Sequence, residues 1–219
     1  MKAPNGKNSN LTPEQYKLVR TPAFKKWFGD WENSPETASK VIDENGEPLV
    51  VYHGTGSEFY IFDKAKAQDT EGRKYGVGTG KGVFSFTKDF DTALNWMERS
   101  KERGQYNVNS NNLKVLKVFL NFRNPINRDY FEDKLNEKFE GYSFRLQKER
   151  DKKIAEIYKD FKKQKIDGLI SDWGEYTAFE PNQIKLADGS NTTFDGNNPD
   201  IRYSKGGQIK YFEYTIGGL

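Results

Sequence analysis

The chain has no cysteine and a single histidine, His53, among its 219 residues. The missing cysteines exclude a disulfide framework, a thiolate nucleophile and any cysteine-ligated zinc. One histidine excludes a histidine-rich metal site and any mechanism that needs two imidazoles. No apolar run is long enough to span a bilayer and no signal peptide is visible, so the chain reads as soluble and intracellular. An excess of one charge is missing too. Lys+Arg 35 against Asp+Glu 32 gives +3, too little to argue for nucleic acid or membrane. The apolar class is small at 34% while charged residues reach 31%, but aromatics at 15% compensate through the large area each buries. The length suits one domain, given roughly 100–200 residues per domain.

Residues 1–10 are polar and contain Pro4 and Gly6, so they are expected to be a disordered N-terminus. A helical part is expected over 11–39. Thr12-Pro13-Glu14-Gln15 has the form of a helix start with a capping box, and Thr21-Pro22 is a second start. Phe24, Trp27, Phe28 and Trp31 follow at i, i+3, i+4 and i+7, one face of a helix. A core is expected over 40–187. It begins with strands at Lys40–Asp43 and Pro48–His53, joined by a turn at Asn45-Gly46.

A glycine-rich, charged loop runs from Lys64 to Gly82 and reads as a mobile loop with lid potential. It is not a dinucleotide fingerprint, because no strand precedes it and no helix opens within it. Val83–Thr87 is a strand with Val83, Ser85 and Thr87 on one face and Phe84 and Phe86 on the other. Asp89–Arg99 is a helix in which Ala93, Trp96 and Met97 share a face, and Leu113–Asn121 is a strand. Asp129–Phe139 and Phe144–Lys165 read as charged helices, the second with an apolar stripe of Ile154, Ile157, Tyr158 and Phe161. Its surplus of lysine and arginine reads as a solvated face, with an acidic partner or RNA as the alternative. Short strands follow at Gly168–Ile170, Glu175–Phe179 and Gln183–Lys185; from Ala187 the chain turns polar and is expected to pack poorly. Residues 11–203 are expected to form the single domain, and 204–219 a C-terminal tail.

His53 ends an apolar strand and is followed by Gly54. Alone, that pattern fits a satisfied core histidine. Three stretches together carry more. Tyr52-His53-Gly54-Thr55, then Gly82-Val83-Phe84-Ser85-Phe86-Thr87 with Ala93 and Trp96, then Glu175-Tyr176-Thr177-Ala178-Phe179 resemble, in that order, the ADP-ribosyltransferases of the diphtheria-toxin and poly(ADP-ribose)-polymerase branch. The ending Phe179-Glu180-Pro181-Asn182-Gln183-Ile184-Lys185, with Asn198-Pro199-Asp200-Ile201-Arg202, is most similar to the ADP-ribosyltransferase domains of phage polyvalent proteins. The resemblance spans roughly residues 24–203.

The resemblance implies an α+β fold: a split, strongly bent β-sheet with NAD in a cleft, flanked by N-terminal helices and an inserted charged helical pair. His53 would hydrogen-bond the adenosine ribose. Gly54 would offer backbone N–H and C=O to the nicotinamide carboxamide, with Thr55 beside it. Ser85 and Phe86 would border the nicotinamide, and Trp96 would stack on it. Glu175, with His53, would be catalytic. Cleaving the nicotinamide–ribose bond builds an oxocarbenium-like cation, the charge that glycosidases meet with carboxylates. A fixed carboxylate near the 2′-hydroxyl stabilises it, so the resemblance implies NAD as substrate and no metal.

The family's His-Tyr-Glu pattern has an aromatic where this chain has Ser85. The nicotinamide would then be stacked from one side only, unless a residue such as Phe59 or Tyr75 substitutes. The residue two before the carboxylate, Trp173, is not the second glutamate of arginine-modifying relatives. Trp173 and Asp172 are therefore the expected target-contacting residues, with a turn tucked on the core as the alternative. The whole implies a mono-ADP-ribosyltransferase of phage or mobile-element origin, acting in the host cytoplasm or carried in a virion. Its acceptor would be a host protein, or else nucleic acid, with no membrane involved. The alternatives are a catalytically inactive binding or virion cargo module of the same fold, and an RNA-directed ADP-ribosyl or 2′-phosphotransferase.

Overall fold

The computed structural model of the chain describes residues 1–67, 79–102, 114–139, 147–189 and 191–202. Most of the glycine-rich loop, Tyr75 and the 204–219 tail lie outside these residues. The fold is α+β around a seven-stranded mixed sheet. Its strands are β1 Val51–Thr55, β2 Phe84–Thr87, β3 Lys114–Leu120, β4 Ile126–Asn127, β5 Gly168–Ile170, β6 Glu175–Ala178 and β7 Ile184–Leu186, in the spatial order β4-β5-β6-β2-β1-β3-β7. Among the described strands only β4 and β5 pair in parallel.

The sheet is two laddered halves with a narrow join. On one side β1 is in register with β3 from Val51↔Val118 to Thr55↔Lys114, and β3 with β7. On the other, β2 is in register with β6 from Phe84↔Ala178 to Thr87↔Glu175, and β6 with β5. Between them the β1–β2 ladder consists of the pair Tyr52↔Thr87. Phe84 and Phe86 face a core shared with Val51, Phe62, Val118, Leu120 and Tyr176, as the alternation in β2 predicts. Helix α3, Phe90–Glu102, lies against β1.

The N-terminal helices α1 Pro13–Leu18 and α2 Pro22–Phe28 form where the caps predict. Gln15 N donates to Thr12 Oγ1 at 3.3 Å, and Thr12 N to Gln15 Oε1 at 3.1 Å, the reciprocal bonds of a capping box. Gly29 ends α2 at φ +101, so Trp31 joins the buried aromatic face from beyond the helix, its Nε1 donating to Val19 O at 3.1 Å. Helices α4 Arg128–Phe139 and α5 Gln147–Lys163 pack through Phe131, Leu135, Ile154, Ile157 and Phe161 onto Leu169 of β5.

Local hydrogen bonding differs from the sequence reading at three places. Residues 1–10 fold back as a turn closed by the bridge Lys2↔Asn8, with Ala3 buried and Asn5 Nδ2 donating to Asn45 Oδ1 at 3.0 Å. Lys40–Asp43 is not a strand, and the expected hairpin shrinks to the bridge Ile42↔Pro48. Asp43 Oδ1 takes the N–H groups of Asn45 and Glu47, both at 2.9 Å, which adds side-chain bonds to the backbone bonds from Asp43 N to Glu47 O at 2.8 Å and from Leu49 N to Val41 O at 3.1 Å. The segment after Ala187 is packed rather than loose. Asn191, Phe194 and Ile201 are buried, and the Phe194 ring meets Phe24 edge-on and Trp27 at a tilt. Lys185, fully buried, donates its ammonium protons to the carbonyls of Asn198 and Asp200. Burial pushes its pKa down to about 8, against the pull of Asp195 and Asp200.

Candidate active site

His53 stands where the two halves part. Beyond Tyr52↔Thr87 its imidazole fills the gap and lies among Phe62 at 5.0 Å, Phe86 at 5.4 Å and Phe59 at 6.3 Å between ring centroids. Its Nδ1 is 2.8 Å from the Ser85 carbonyl oxygen. A carbonyl only accepts, so Nδ1 carries the hydrogen. The apolar surroundings depress the imidazole pKa, partly offset by that carbonyl, so the ring is neutral. Neutral His53 therefore presents Nε2 as an acceptor, and Nε2 has no protein partner among the described residues.

Gly54 points away from this cluster. A Cβ there would lie 2.2 Å from the Ala93 carbonyl oxygen and 3.0 Å from Met97 Cβ. Close packing of α3 on β1 is thus sufficient reason for glycine, independent of any ligand. Thr55 is buried, its hydroxyl engaged with Ser57, whose N–H it accepts at 3.1 Å. Ser85 is exposed, whereas Phe86 is fully buried and reaches the site through His53. Trp96 is half-buried on α3, next to Met97, which packs inward.

Glu175 opens β6 and is paired with Thr87, which is paired in turn with Tyr52. Three adjacent strands thus put Glu175 in the row next to His53. The turn that delivers it is tight. Ser171 Oγ accepts the Glu175 N–H at 2.8 Å, and Gly174 sits at φ +89 where a Cβ would meet the Lys88 side chain at 2.4 Å. Trp173 at the tip is 55% exposed, so the tucked alternative does not hold. Asp172, also exposed, accepts from Asn127 Nδ2 at 2.9 Å.

Arg128, the first residue of α4, is the site residue that sequence reasoning missed. Its Nη1 is ion-paired with Glu175 Oε2, its Nε is 3.0 Å from Glu132 Oε1, and its guanidinium carbon is 5.9 Å from the Trp173 ring. A signal existed. An arginine in the first turn opposes the helix dipole, which favours acidic residues there, and Glu132 at i+4 is the partner such a cation needs. Glu175 Oε1 has no protein partner among the described residues, and the side chain is 27% exposed. The arrangement offers one neutral acceptor in an apolar recess and one open carboxylate oxygen nearby. Among the described residues no group of three or more His, Asp or Glu side chains could hold a metal.

The family model described as ADP-ribosyltransferase in polyvalent proteins matches residues 43–194, well over half of the chain and all the site residues above. No curated protein and no solved structure matches it.

Proposed function

The chain belongs to the family of ADP-ribosyltransferases in polyvalent proteins, and from that premise we propose that it transfers ADP-ribose from NAD to a macromolecular acceptor. The acceptor is a host protein, the setting an infected cell, and the chain's origin a phage or mobile element. The observation that carries the reading is Glu175, held at the start of β6 with Oε1 open, one strand removed from β1, which carries His53.

His53 Nε2 accepts from a ribose hydroxyl of the adenosine half. The backbone of Gly54 takes the nicotinamide carboxamide, and Trp96 covers the ring. In the reaction the bond between ribose C1′ and the nicotinamide nitrogen breaks. Its electron pair leaves with nicotinamide, which departs neutral. Positive charge grows on the ribose as the bond lengthens, and Glu175 Oε1, at the 2′-hydroxyl, stabilises it. The acceptor nucleophile then gives an electron pair to C1′ and releases its proton to water. Interactions of this kind accelerate because they are stronger in the transition state than in bound NAD.

The test incubates labelled NAD and host lysate with wild-type protein or Glu175→Gln. The substitution keeps shape and removes charge, and a loss of ~3 kcal/mol, roughly a hundredfold in rate, is expected. Label on a discrete macromolecule with wild type alone supports transfer, and protease or nuclease sensitivity identifies its class. No label, no nicotinamide release and no NAD binding would leave the binding or cargo module instead.

A further inference from the structure

Arg128 sits between two carboxylates. Nη1 bonds Glu175 Oε2 and Nε bonds Glu132 Oε1 at 3.0 Å, while the Trp173 ring lies 5.9 Å away. Its side chain is 13% exposed, less than either carboxylate. Resting on the reading of Glu175 given above, we propose that Arg128 is a positioning residue for the reaction: it fixes the Glu175 carboxylate by one oxygen and presents the other to the ribose.

Three observations carry this. First, the ion pair engages one oxygen of Glu175 and leaves Oε1 without a protein partner among the described residues. A carboxylate held at one end has a defined direction, and a misplacement of an ångström at a reacting centre costs on the order of a hundredfold. Second, the pairing does not cancel the charge that the chemistry needs. Among the described residues one guanidinium stands against two carboxylates, which leaves the cluster negative, so a cation forming at Oε1 is still attracted. Glu132 therefore keeps Arg128 from neutralising Glu175. Third, the pair joins separately built elements. Glu175 is placed by the β5–β6 turn and Arg128 by the β4–α4 junction, where Asn127 Oδ1 accepts the Asp129 N–H at 2.8 Å and Asn127 Nδ2 ties the junction to Asp172 at 2.9 Å. An arginine is required because its planar fork serves two carboxylates at once, whereas lysine offers a point charge.

The experiment measures nicotinamide release from NAD by the full chain and by Arg128→Met, Arg128→Lys and Glu132→Gln, with a thermal melt of each. For Arg128→Met, kcat is expected to fall about tenfold to a hundredfold with KM for NAD changed less than about twofold, the signature of an interaction made in the transition state. Arg128→Lys is expected to recover part of that loss. Glu132→Gln, which removes the carboxylate that competes with Glu175 for the guanidinium, is expected to lower kcat severalfold at an unchanged melting temperature. If Arg128→Met does not fold, the other two variants decide. Wild-type or raised kcat in the variants, or a loss expressed entirely in KM, overturns the proposal while leaving Glu175 as the catalytic group. No turnover by the wild type overturns both readings together.

Discussion

The two flanks of the seam are built from opposite materials. On the β1 flank His53 is neutral, ringed by Phe59, Phe62 and Phe86, and backed by a helix so close that Gly54 has no room for a Cβ. On the β6 flank Glu175, Arg128, Glu132 and Asp172 are charged, and Trp173 stands in solvent. The difference matches two tasks. On the proposed reading, the β1 flank would hold the ligand by shape, rings and neutral hydrogen bonds. A developing positive charge is met by a carboxylate whose position is fixed and whose charge is kept. If each task sits on its own half, joined by the pair Tyr52↔Thr87, each can be tuned separately.

The comparison breaks if damage to one flank reads out on the other. The largest expected effect is the hundredfold loss with Glu175→Gln, and it should leave NAD binding and melting nearly unchanged. Next comes Gly54→Ala. The added methyl meets a backbone carbonyl at 2.2 Å, so α3 must move off β1. Overpacking of this kind costs about 1–3 kcal/mol, which a thermal melt reads at about 2–4 °C per kcal/mol in a chain of this size. Because α3 carries Trp96, NAD affinity should fall with the melting temperature. Unchanged melting would mean the helix yields freely and the β1 flank is not rigid.

That substitution also marks where the sequence was readable. Short-range chemistry was visible: the Thr12 capping box, the alternation in β2 and the apolar stripe of α5. Partners distant in sequence were not. Arg128 and Glu175 are 47 residues apart, and nothing local to either names the other. The segment after Ala187 read as loose because its buried residues are few and irregularly spaced among polar ones. Its order comes from tertiary bonds instead: Asn191 Nδ2 donates to Ile201 O at 2.9 Å while its Oδ1 accepts the Phe194 N–H at 3.1 Å. Gly54 was legible as a required glycine, but a helix 39 positions on is by itself enough to require it, and nothing local to Gly54 names that helix.

A smaller effect should come from protons. His53 is the sole histidine, so between the carboxylate range and neutrality it is the principal group that titrates. Its folded pKa lies below the unfolded value of 6.5. Above pH 6.5 both states are neutral and stability carries no histidine term. As pH falls below 6.5 the unfolded chain binds a proton that the folded chain refuses, so stability declines, levelling once the folded pKa is passed. Denaturant melts of wild type should show this decline and His53→Gln should flatten it. A wild-type curve that rises toward acid would mean a charged imidazole, and the neutral β1 flank would be wrong.

The smallest effect on the fold belongs to Trp173→Ala. At 55% exposure, with a guanidinium at 5.9 Å as its ring partner, Trp173 contributes little packing, and stability should change by no more than about 0.5 kcal/mol. Function should split. In the proposed reaction nicotinamide release to water needs NAD and Glu175, so it should persist; transfer to the macromolecule would need whatever the turn touches, so it should drop. Measured side by side on one preparation, a drop in transfer alone makes Asp172-Trp173 the acceptor-contacting tip of the charged flank. An equal drop in both reactions would mean instead that Trp173 acts inward, through Arg128, and belongs to the machinery that holds Glu175.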